Sequence, residues 1–523
     1  MATEAQITAQ RLAVLDPATG ELLRELEVAG AQDVRAAVER ARAAQPEWER
    51  LGVHRRTATL RAFQRRLYES KEAVAELISR EAGKPVTEGL LTEVLVVLDT
   101  ATFLMENAHE LLRDEPIPHG NPVMKSKRAW LRREPYGVIG VISPWNYPFS
   151  TPAAEVLAAL VAGNTVVLKP SEFTPLCALE LHQLLLASGV PSDVLQVVVG
   201  EGPTGAALSA SAVNKLIFTG SVATGKRVAQ AAAQRLVPVV LELGGKDPMI
   251  VLDDADVEVV SSGAVWGAFV NSGQACLSVE RCYVHRSIYE KFVQACVRKT
   301  ESLRVGNGRD PETDVGPMIH QRQLQTVEAH IEEARARGAR VLAGGRRLPE
   351  LGPNFFAPTV IADVDHSMRL MREETFGPVL PLMPFDSDDE AVGLANDSEF
   401  GLAASVWTSN RARGEALAKR LQAGTVMVND VLTCFGISEA PHGGMKASGI
   451  GRSHGRFGLE EMVQVKYVDS DLLPGLRKVW WFGYGAEFSQ QMRGFVDLLF
   501  GHGLRRLSGG LRAVGAFFRK GRL

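Results

Sequence analysis

The sequence predicts an α/β fold with parallel sheets, and three observations support this prediction. At 523 residues, the chain is too long for one ordinary domain. Its composition of 46% apolar and 23% charged residues is typical of a folded globular protein rather than a disordered one. Short β-branched segments alternate with helical segments along most of the chain, which is the pattern of a sheet covered by helices.

The first α/β region runs from about Gly137 to Gly245. Four of its segments are short, β-branched and bounded by Gly or Pro, and they predict buried strands: GVIGVISPW, GNTVVLKPSE, VLQVVVGEG and KLIFTGS. Helical segments such as PAAEVLAALVAG and LCALELHQLLLASG lie between them, so we expect a doubly wound parallel sheet. A second α/β set runs from about Met249 to His442.

The flanking segments differ from these two regions. DVRAAVERARAAQPEWERL and EAVAELISREAG have apolar residues at helical spacing and predict amphipathic helices. RDEPIPHGNPVMKSKRAWLRREPYG is rich in Pro, Gly and charge, and it indicates an excursion from the first region. After about Leu472 the tail has nine basic and two acidic residues, a net +7 that leaves −10 for the rest of the chain. One face of a predicted tail helix would carry Leu504, Leu507, Leu511, Val514 and Phe518.

Several classes of function find no support in the sequence. The net charge of −3 gives no indication of a nucleic-acid partner. The N-terminus has no basic region followed by an apolar one, and no apolar run approaches the ~18 residues that a membrane span needs. We therefore expect a cytoplasmic protein. No metal site is predicted, because Cys276 and Cys282 lack CxxC spacing and no His lies nearby at ligand spacing.

The segment NSGQACLSVERCYV raises the question of a reactive thiol. The five cysteines are few, odd in number and widely spread, so we expect free thiols. Small residues surround Cys276 and would let a substrate reach it, and a thiolate is a strong nucleophile near neutral pH. A buried core thiol is the more common role of a cysteine. Both interpretations remain open from these residues alone.

Three further segments place polar groups next to predicted strands. In KLIFTGSVATGK, the residues Gly220 to Gly225 open a helix whose N-terminus could bind phosphate or form an ordinary turn. In VVLKPSE, Lys169 and Glu172 follow a buried strand, where they could bind ribose hydroxyls or lie in a solvated loop. In VVLELGGKDP, Glu242 ends an apolar run. It could be a general base with a raised pKa or a carboxylate bonded to backbone.

Together these segments resemble the aldehyde dehydrogenase superfamily from about Val14 to Val468. The motifs occur in order: PWNYPF, GNTVVLKPSE, FTGSVATG, LELGGKDP, GQACLSVERCYVH, EETFGPVLP, VMVND and PHGGMKASGIGRSHG. The resemblance implies oxidation of an aldehyde to a carboxylic acid. Cys276 would be the nucleophile, and the side-chain amide of Asn146 would help to hold the oxyanion. Glu242 would activate water to hydrolyse the thioester.

The resemblance also implies the cofactor, NAD with NADP as an alternative, and the residues that bind it. Lys169 and Glu172 would hold the adenine ribose, and the carboxylate of Glu172 favours NAD because it repels a 2′-phosphate. Ser221 would contact the pyrophosphate, and Glu374 and Phe376 would contact the nicotinamide ribose and ring. The predicted cofactor site is completed by Ser143, Trp145, Gly220, Gly225 and Leu243.

The resemblance extends to domain organisation. We expect an NAD-binding domain at 1–114 and 136–243, a catalytic domain at 244–447, and oligomerisation elements at 115–135 and 455–471. The family implies a homodimer or homotetramer. The extension at 472–523 could be a subunit arm, a membrane-surface helix that brings the protein to a membrane through 473–523, or a loosely ordered tail.

Departures from the common family pattern bear on the substrate. His442 stands where many relatives have Phe, and we expect it to border the catalytic pocket. Glu155 stands where other relatives carry Lys. VNDVL together with Ser453, His454 and Gly455 is similar to the class that oxidises fatty and aromatic aldehydes, and to bacterial enzymes acting on long apolar dialdehydes. We predict an apolar medium- or long-chain or aromatic aldehyde. The retained Glu242 favours release of a free acid over the alternatives, a coenzyme A-acylating enzyme or a non-catalytic scaffold that uses the basic tail.

Overall fold

Two parallel sheets form the centre of the computed structural model, which describes residues 11–121, 124–475, 478 and 480–513. The strands are β1 (Arg11–Leu15), β2 (Leu22–Glu27), β3 (Glu115–Ile117), β4 (Lys127–Pro135), β5 (Val138–Ile142), β6 (Thr165–Lys169), β7 (Leu195–Val197), β8 (Lys215–Thr219), β9 (Val239–Glu242), β10 (Asp247–Val251), β11 (Val279–His285), β12 (Arg340–Ala343), β13 (Thr359–Ala362), β14 (Val379–Phe385), β15 (Ala403–Trp407), β16 (Thr425–Val428), β17 (Gly449–Ile450) and β18 (Val463–Asp471).

The helices fill the connections between these strands. They are α1 (Ala31–Arg50), α2 (Gly52–Glu69), α3 (Lys71–Ala82), α4 (Val86–Gly89), α5 (Leu95–Leu111), α6 (Ser150–Ala162), α7 (Pro175–Ala187), α8 (Gly202–Ala210), α9 (Val222–Ala233), α10 (Val257–Phe269), α11 (Tyr289–Glu301), α12 (Gln321–Ala336), α13 (Arg369–Arg372), α14 (Asp388–Asn396), α15 (Arg411–Ala418), α16 (Gly455–Glu460), α17 (Ala486–Phe500) and α18 (Leu504–Ala513). A π-helical turn at Leu90–Val94 joins α4 to α5, and 3₁₀ turns lie at Val270–Gly273, Thr433–Gly436 and Lys446–Ser448.

The first sheet has six strands in the order β17-β9-β8-β5-β6-β7. The neighbours from β9 to β7 pair in parallel, and β17 pairs with β9 antiparallel. Its strands are buried on both faces, because alternate residues enter different cores: Ile139 and Val141 one, Val138 and Ile142 the other. This arrangement confirms the predicted doubly wound α/β fold.

The second sheet has seven strands in the order β12-β13-β14-β11-β10-β15-β16. All its pairs are parallel except β12 with β13. Its core likewise divides between two faces, with Met249 and Val251 in one cluster and Ile250 in the other. The hairpin of β1 and β2, which the sequence analysis did not predict, pairs antiparallel near the N-terminus.

A second compact unit comprises Asp114–Arg132 and Val465–Leu523. It contains β3 and most of β4 and β18, which form a small sheet in the order β18-β4-β3. These strands lie in the predicted excursion and near the end of the family match. In the tail, α17 packs on α18 through glycines: a Cβ on Gly494 would lie 2.5 Å from the Cβ of Arg512. Val514 and Phe518, which the sequence places on the same helical face as Leu504, lie outside the described residues. No helix in the described ranges has the length and apolar character of a membrane span.

Candidate active site

The topology gathers most of the predicted site residues at one edge of the six-stranded sheet. Carboxyl ends of parallel strands meet at a common edge, and each of four adjacent strands ends next to a predicted residue. The residues at this edge are Ser143, Trp145 and Asn146 after β5, Lys169 and Glu172 at and after β6, Gly220 and Ser221 after β8, and Glu242 and Leu243 at and after β9. The sequence-predicted residues are therefore neighbours in space although about 100 positions separate the first from the last.

The loop after β8 leads into α9 with a well-defined N-terminus. The side chain of Ser221 caps α9 by accepting a hydrogen bond from the N–H of Thr224. Gly225 in the first turn has no room for a side chain, because a Cβ there would lie 2.5 Å from Leu243. Leu243 thus packs directly on the helix backbone and fixes it against the end of β9. The helix N-terminus is left facing the sheet edge, where it can attract an anion.

Lys169 and Glu172 form a pair at the end of β6. Lys169 is buried and donates a hydrogen bond of 2.6 Å to the carbonyl of Pro170. Its Nζ lies 3.7 Å from a carboxylate oxygen of Glu172, which is the more exposed partner. Burial lowers the pKa of Lys169, and the Glu172 carboxylate opposes that shift. The hydroxyl of Ser143 is also buried nearby and has no hydrogen-bond partner among the described residues.

Glu374 and Phe376 reach the same edge from the other sheet. Glu374 accepts a hydrogen bond of 2.9 Å from the N–H of Gly245, and a Cβ on Gly244 would lie 2.3 Å from its carboxylate. The two glycines after Glu242 therefore let the Glu374 carboxylate approach the backbone. Burial raises the pKa of Glu374 to about 7. The ring of Phe376 meets that of Trp145 edge to face, with 5.4 Å between centroids.

Cys276 follows a backbone segment of unusual conformation. Asn271, Ser272 and Gly273 all have positive φ, between 52° and 70°. Asn271 holds this turn: its side-chain amide donates to the carbonyls of Asn146 and Gln274, and its N–H donates to Glu88. Such strained conformations persist only where the surroundings fix them. The turn therefore fixes the position of Cys276 before β11 begins.

Asn146 is tied to the same turn. Its side-chain amide donates a hydrogen bond of 3.0 Å to the carbonyl of Gln274, two residues before Cys276. A primary amide has two N–H donors, so one remains available to another acceptor. Asn146 and Cys276 both line the cavity described below.

Among the five free cysteines, Cys276 is partly exposed as a residue, while the other four are buried. Burial of the sulfur raises the pKa of the Cys276 thiol well above its ordinary value, and the carboxylates of Asp247, Glu374 and Glu242 raise it further. The resting thiol is therefore protonated at neutral pH. Because only the thiolate is a strong nucleophile, Cys276 needs a nearby base in order to react.

The carboxyl group of Glu242 is buried at the end of β9, with 4% of the residue exposed. Burial raises the pKa of Glu242 well above its ordinary value, and the nearby Glu155 raises it further. One oxygen lies 3.4 Å from the hydroxyl of Ser453. The other has no hydrogen-bond partner among the described residues and lies 3.9 Å from Nε2 of His442. Burial lowers the pKa of His442 to about 3, so this imidazole is neutral.

A cavity of about 580 Å³ joins these groups. Cys276, Glu242, Asn146 and His442 line it, and Gly220, Ser221, Leu243, Glu374 and Phe376 line it as well. The rest of the lining is largely apolar and includes Leu91, Leu95, Val96, Trp266, Leu432, Phe435 and Ile437. A thiol, a buried carboxyl, an amide donor and a helix N-terminus thus share one cavity. No cluster of His, Cys, Asp and Glu suited to a metal ion occurs among the described residues.

Sequence reasoning did not assign several residues that shape this site. Asn271 and Gln274 belong to the quoted segment NSGQACLSVERCYV, and their polar side chains among small residues were the available signal. Glu155 and Ser453 were noted as departures from the family pattern but were not predicted to meet. They are hydrogen-bonded across 298 positions of sequence.

Comparisons with known proteins agree with this architecture. A sequence model described as the aldehyde dehydrogenase family matches residues 4–468. A 4,4'-diapolycopene aldehyde oxidase from Methylomonas sp. is 40% identical over 493 residues, covering 94% of this chain and 91% of the relative. A mitochondrial succinate-semialdehyde dehydrogenase from Oryza sativa subsp. japonica is 38% identical over 457 residues, covering 87% and 85%.

Solved structures of aldehyde dehydrogenases have the same fold as this chain. An NAD+ complex of an aldehyde dehydrogenase from Bacillus cereus superposes with a TM-score of 0.85 at 37% identity, covering 88% of this chain and 94% of that one. The chain belongs to the aldehyde dehydrogenase family. It is therefore an NAD(P)-dependent enzyme that oxidises aldehydes to carboxylic acids.

Proposed function

We propose that this enzyme oxidises apolar medium- or long-chain or aromatic aldehydes to free carboxylic acids, with Cys276 as the nucleophile and Glu242 as the base. The observation that carries the proposal is the single cavity in which both residues and Asn146 adjoin a largely apolar lining. An apolar chain entering this cavity would be removed from water, which contributes about 25 cal/mol for each Å² of apolar surface buried.

The chemistry follows from the groups in the cavity. Glu242 first removes the proton of the Cys276 thiol, whose pKa is too high for it to ionise unaided. The thiolate attacks the aldehyde carbon and forms a thiohemiacetal, whose oxyanion is held by the free N–H of Asn146 and the backbone N–H of Cys276. Loss of hydride leaves a thioester on Cys276. Glu242 returns this first proton to solvent and then takes a proton from water. The water oxygen bonds to the acyl carbon as the C–S bond breaks, and the acid is released.

The residues at the sheet edge fit NAD as the cofactor that accepts the hydride. The helix N-terminus at Ser221 suits a pyrophosphate, and the unpartnered buried hydroxyl of Ser143 is available to a ligand. Lys169 and Glu172 would hold the adenine ribose, where the carboxylate favours NAD over NADP. Glu374 and Phe376 would contact the nicotinamide ribose and ring, with Trp145, Gly220, Gly225 and Leu243 completing the site.

Two observations favour an apolar substrate. Leu91, Leu95 and Ile437 of the cavity lining are each about half exposed, which supplies an apolar rim rather than a charged one. The second observation is the reach of the match to the diapolycopene aldehyde oxidase. The aligned region leaves only 30 of the 523 residues of this chain unmatched (523 − 493). The alignment must therefore extend past Val468 into the tail. Diapolycopene aldehyde is the kind of long apolar aldehyde that the sequence predicts for this enzyme.

Product analysis with aldehydes of increasing chain length tests this function. We expect acid and NADH in equal amounts without coenzyme A, with kcat/KM rising from butanal to decanal. Each added methylene contributes about 0.8 kcal/mol at most when buried. Succinate semialdehyde serves as the charged comparison and should be the poorer substrate. A strict requirement for coenzyme A would instead support the acylating alternative, and absence of turnover with every aldehyde would support the scaffold alternative.

The two sheets also support the predicted separation into a cofactor-binding domain and a catalytic domain. We propose that the six-stranded sheet and its helices bind the cofactor, at 1–114 and 136–243, and that the seven-stranded sheet carries the catalytic cysteine, at 244–447. We propose that 115–135 and 455–471 join subunits in a homodimer or homotetramer. The exposed Val465 and Tyr467 on the edge strand β18 support such a role, because an exposed apolar edge strand is suited to pairing.

For the tail we propose contact with an anionic lipid surface. Leu504, Leu507 and Leu511 recur at helical spacing on α18 and are at least 71% exposed. Arg505 and Arg506 on the same helix supply positive charge for anionic headgroups. This distribution of residues is typical of amphipathic helices that bind at the surface of a membrane.

Vesicle flotation of the full chain tests the tail proposal. We expect binding to vesicles of phosphatidylcholine and phosphatidylglycerol, and weaker binding to phosphatidylcholine alone. The triple variant Leu504→Gln, Leu507→Gln, Leu511→Gln should lose binding, while the control Leu236→Gln, at a leucine 91% exposed elsewhere, should keep it. If the triple variant binds as well as the wild type, or dissociates into smaller oligomers by light scattering, the tail is not a membrane helix.

A further inference from the structure

Two buried carboxyl groups meet at one hydroxyl in the wall of the cavity. Ser453 donates a hydrogen bond to Glu155, and its Oγ lies 3.4 Å from Oε1 of Glu242. All three residues are at most 4% exposed. Burying an ionised carboxylate has a high free-energy cost, and burying two of them next to each other costs more. The geometry is that of a chain along which one proton can be shared.

We propose that Ser453 and Glu155 form a proton relay for Glu242 during hydrolysis of the thioester. The water oxygen forms a bond to the acyl carbon, the C–S bond breaks, and sulfur leaves as the Cys276 thiolate. The water proton goes to Glu242 and from there to Oγ of Ser453, while Ser453 gives its own hydrogen to Glu155. Ser453 is unchanged at the end, and the proton resides on Glu155. Release of that proton to solvent and reprotonation of the Cys276 thiolate restore the resting enzyme. This inference rests on the proposed function, because the relay has a task only if a thioester is hydrolysed.

The surroundings of Glu242 offer one clear route for this proton into the protein. Oε1 faces Ser453, whereas Oε2 has no hydrogen-bond partner among the described residues. His442 is a poor proton acceptor, because its Nε2 lies 3.9 Å from Oε2 and its pKa is lowered to about 3. Arg452 is the charged group that favours the ionised form of Glu242. Glu242 starts ionised, takes the water proton and passes it on through Oε1, the oxygen that faces Ser453.

Glu155 has the properties expected of the far end of the relay. It interrupts an apolar helix, α6, whose other residues are all buried or half-buried. Its charged surroundings are Glu242 across Ser453, together with Lys215 and Glu461. Burial raises the pKa of Glu155 to about 7, so it can accept and release a proton near neutral pH. Glu155 also lines a second cavity of about 10 Å³, close to the volume that one water requires.

The test separates acylation from deacylation. Wild type, Glu155→Gln, Ser453→Ala and Ser453→Thr are mixed with NAD and decanal, and the pre-steady-state formation of NADH is followed. Intact-protein mass spectrometry of the quenched samples measures the acyl group on Cys276. Ser438→Ala is the matched control, because it removes a buried hydroxyl that lines the same small cavity but does not contact Glu155 or Glu242.

We expect Glu155→Gln and Ser453→Ala to form the first NADH at the wild-type rate. Their steady-state turnover should then be about ten- to a hundredfold slower than that of the wild type. This loss is smaller than the ~10²–10⁴-fold contribution of a group that itself acts as general base. Acyl-enzyme should accumulate in both. Ser453→Thr should restore turnover, and Ser438→Ala should resemble the wild type. The wild-type kcat should rise with pH through about 7. In Glu155→Gln the rise should move to lower pH, because Glu155 no longer titrates and no longer raises the pKa of Glu242.

Two results would overturn the relay. One is steady-state turnover by Glu155→Gln equal to that of the wild type. The other is loss of the first NADH together with turnover, which would mean that Glu155 and Ser453 only support the structure. Failure of the proposed function is a different result, because the wild type itself would then form no NADH or no acid.

Discussion

At the scale of single residues, the protonation state of Cys276 decides how the enzyme must begin its reaction. Burial and three nearby carboxylates raise the pKa of the thiol, so the neutral form predominates at neutral pH. The rate of alkylation of Cys276 by iodoacetamide should therefore increase with pH up to at least pH 9, without a plateau near neutrality. Peptide mass spectrometry measures the rate at this site, with the buried Cys282 as the internal control. A plateau below pH 8 would contradict this account.

A second prediction at this scale concerns Glu172. Its carboxylate lies 3.7 Å from Lys169 at the strand end where we propose that the adenine ribose binds. Glu172→Gln removes the charge that would repel a 2′-phosphate while it retains the size of the side chain. The ratio of kcat/KM for NADP to that for NAD should rise by about tenfold, which corresponds to ~1.4 kcal/mol. Steady-state kinetics with both cofactors measures the ratio, and an unchanged ratio would exclude Glu172 from the ribose site.

The sequence predicts those residues of the site that a local pattern marks, and it does not predict contacts between residues that are far apart in the chain. Glu242 and Lys169 end apolar strands, so a change of pattern marks them in the sequence. Glu155 lies inside the apolar helix α6, and its partner Ser453 is 298 positions away. No local pattern reveals such a pair. The resemblance drew attention to both positions, but their contact required the fold.

At the scale of elements, the turn before Cys276 fixes the position of this residue relative to Asn146. Its positive φ values occur at Asn271 and Ser272 as well as at Gly273, and sequence patterns seldom predict such a conformation without glycine. The strands β5, β6 and β8 were predictable because their apolar runs are short and end abruptly. The hairpin of β1 and β2 was not predicted, because only two of its strand residues, Leu12 and Val14, are fully buried.

Substitution of Gly273 tests the importance of this turn. A Cβ at Gly273 would lie 2.1 Å from the carbonyl oxygen of Gly377, at a φ of +70°. Gly273→Ala should therefore destabilise the protein by at least about 2 kcal/mol and reduce kcat. The control is Gly393→Ala in α14, where a Cβ would meet nothing within 4 Å. This substitution should stabilise the protein by about 0.5–1 kcal/mol. Thermal unfolding and kcat measure both effects, and a wild-type midpoint for Gly273→Ala would refute the prediction.

At the scale of the whole molecule, charge and apolar surface are unevenly distributed along the chain. The tail carries +7 and the remainder −10. Exposed apolar side chains recur at the rim of the cavity, on β18 and on α18. Composition alone detected the basic tail, but the exposure of its leucines could be judged only from the structure. The central claim concerns the enzyme as a whole, namely oxidation of an apolar aldehyde through a thioester on Cys276.

The most direct test is NADH formation from NAD and decanal, without coenzyme A, by the wild type and by Cys276→Ala. We predict turnover by the wild type and none by the variant, because no other described cysteine lines the cavity. Circular dichroism and NAD binding would confirm that the variant is folded. Turnover that survives in Cys276→Ala would contradict the account, since the reaction would then proceed without the nucleophile on which every later step depends.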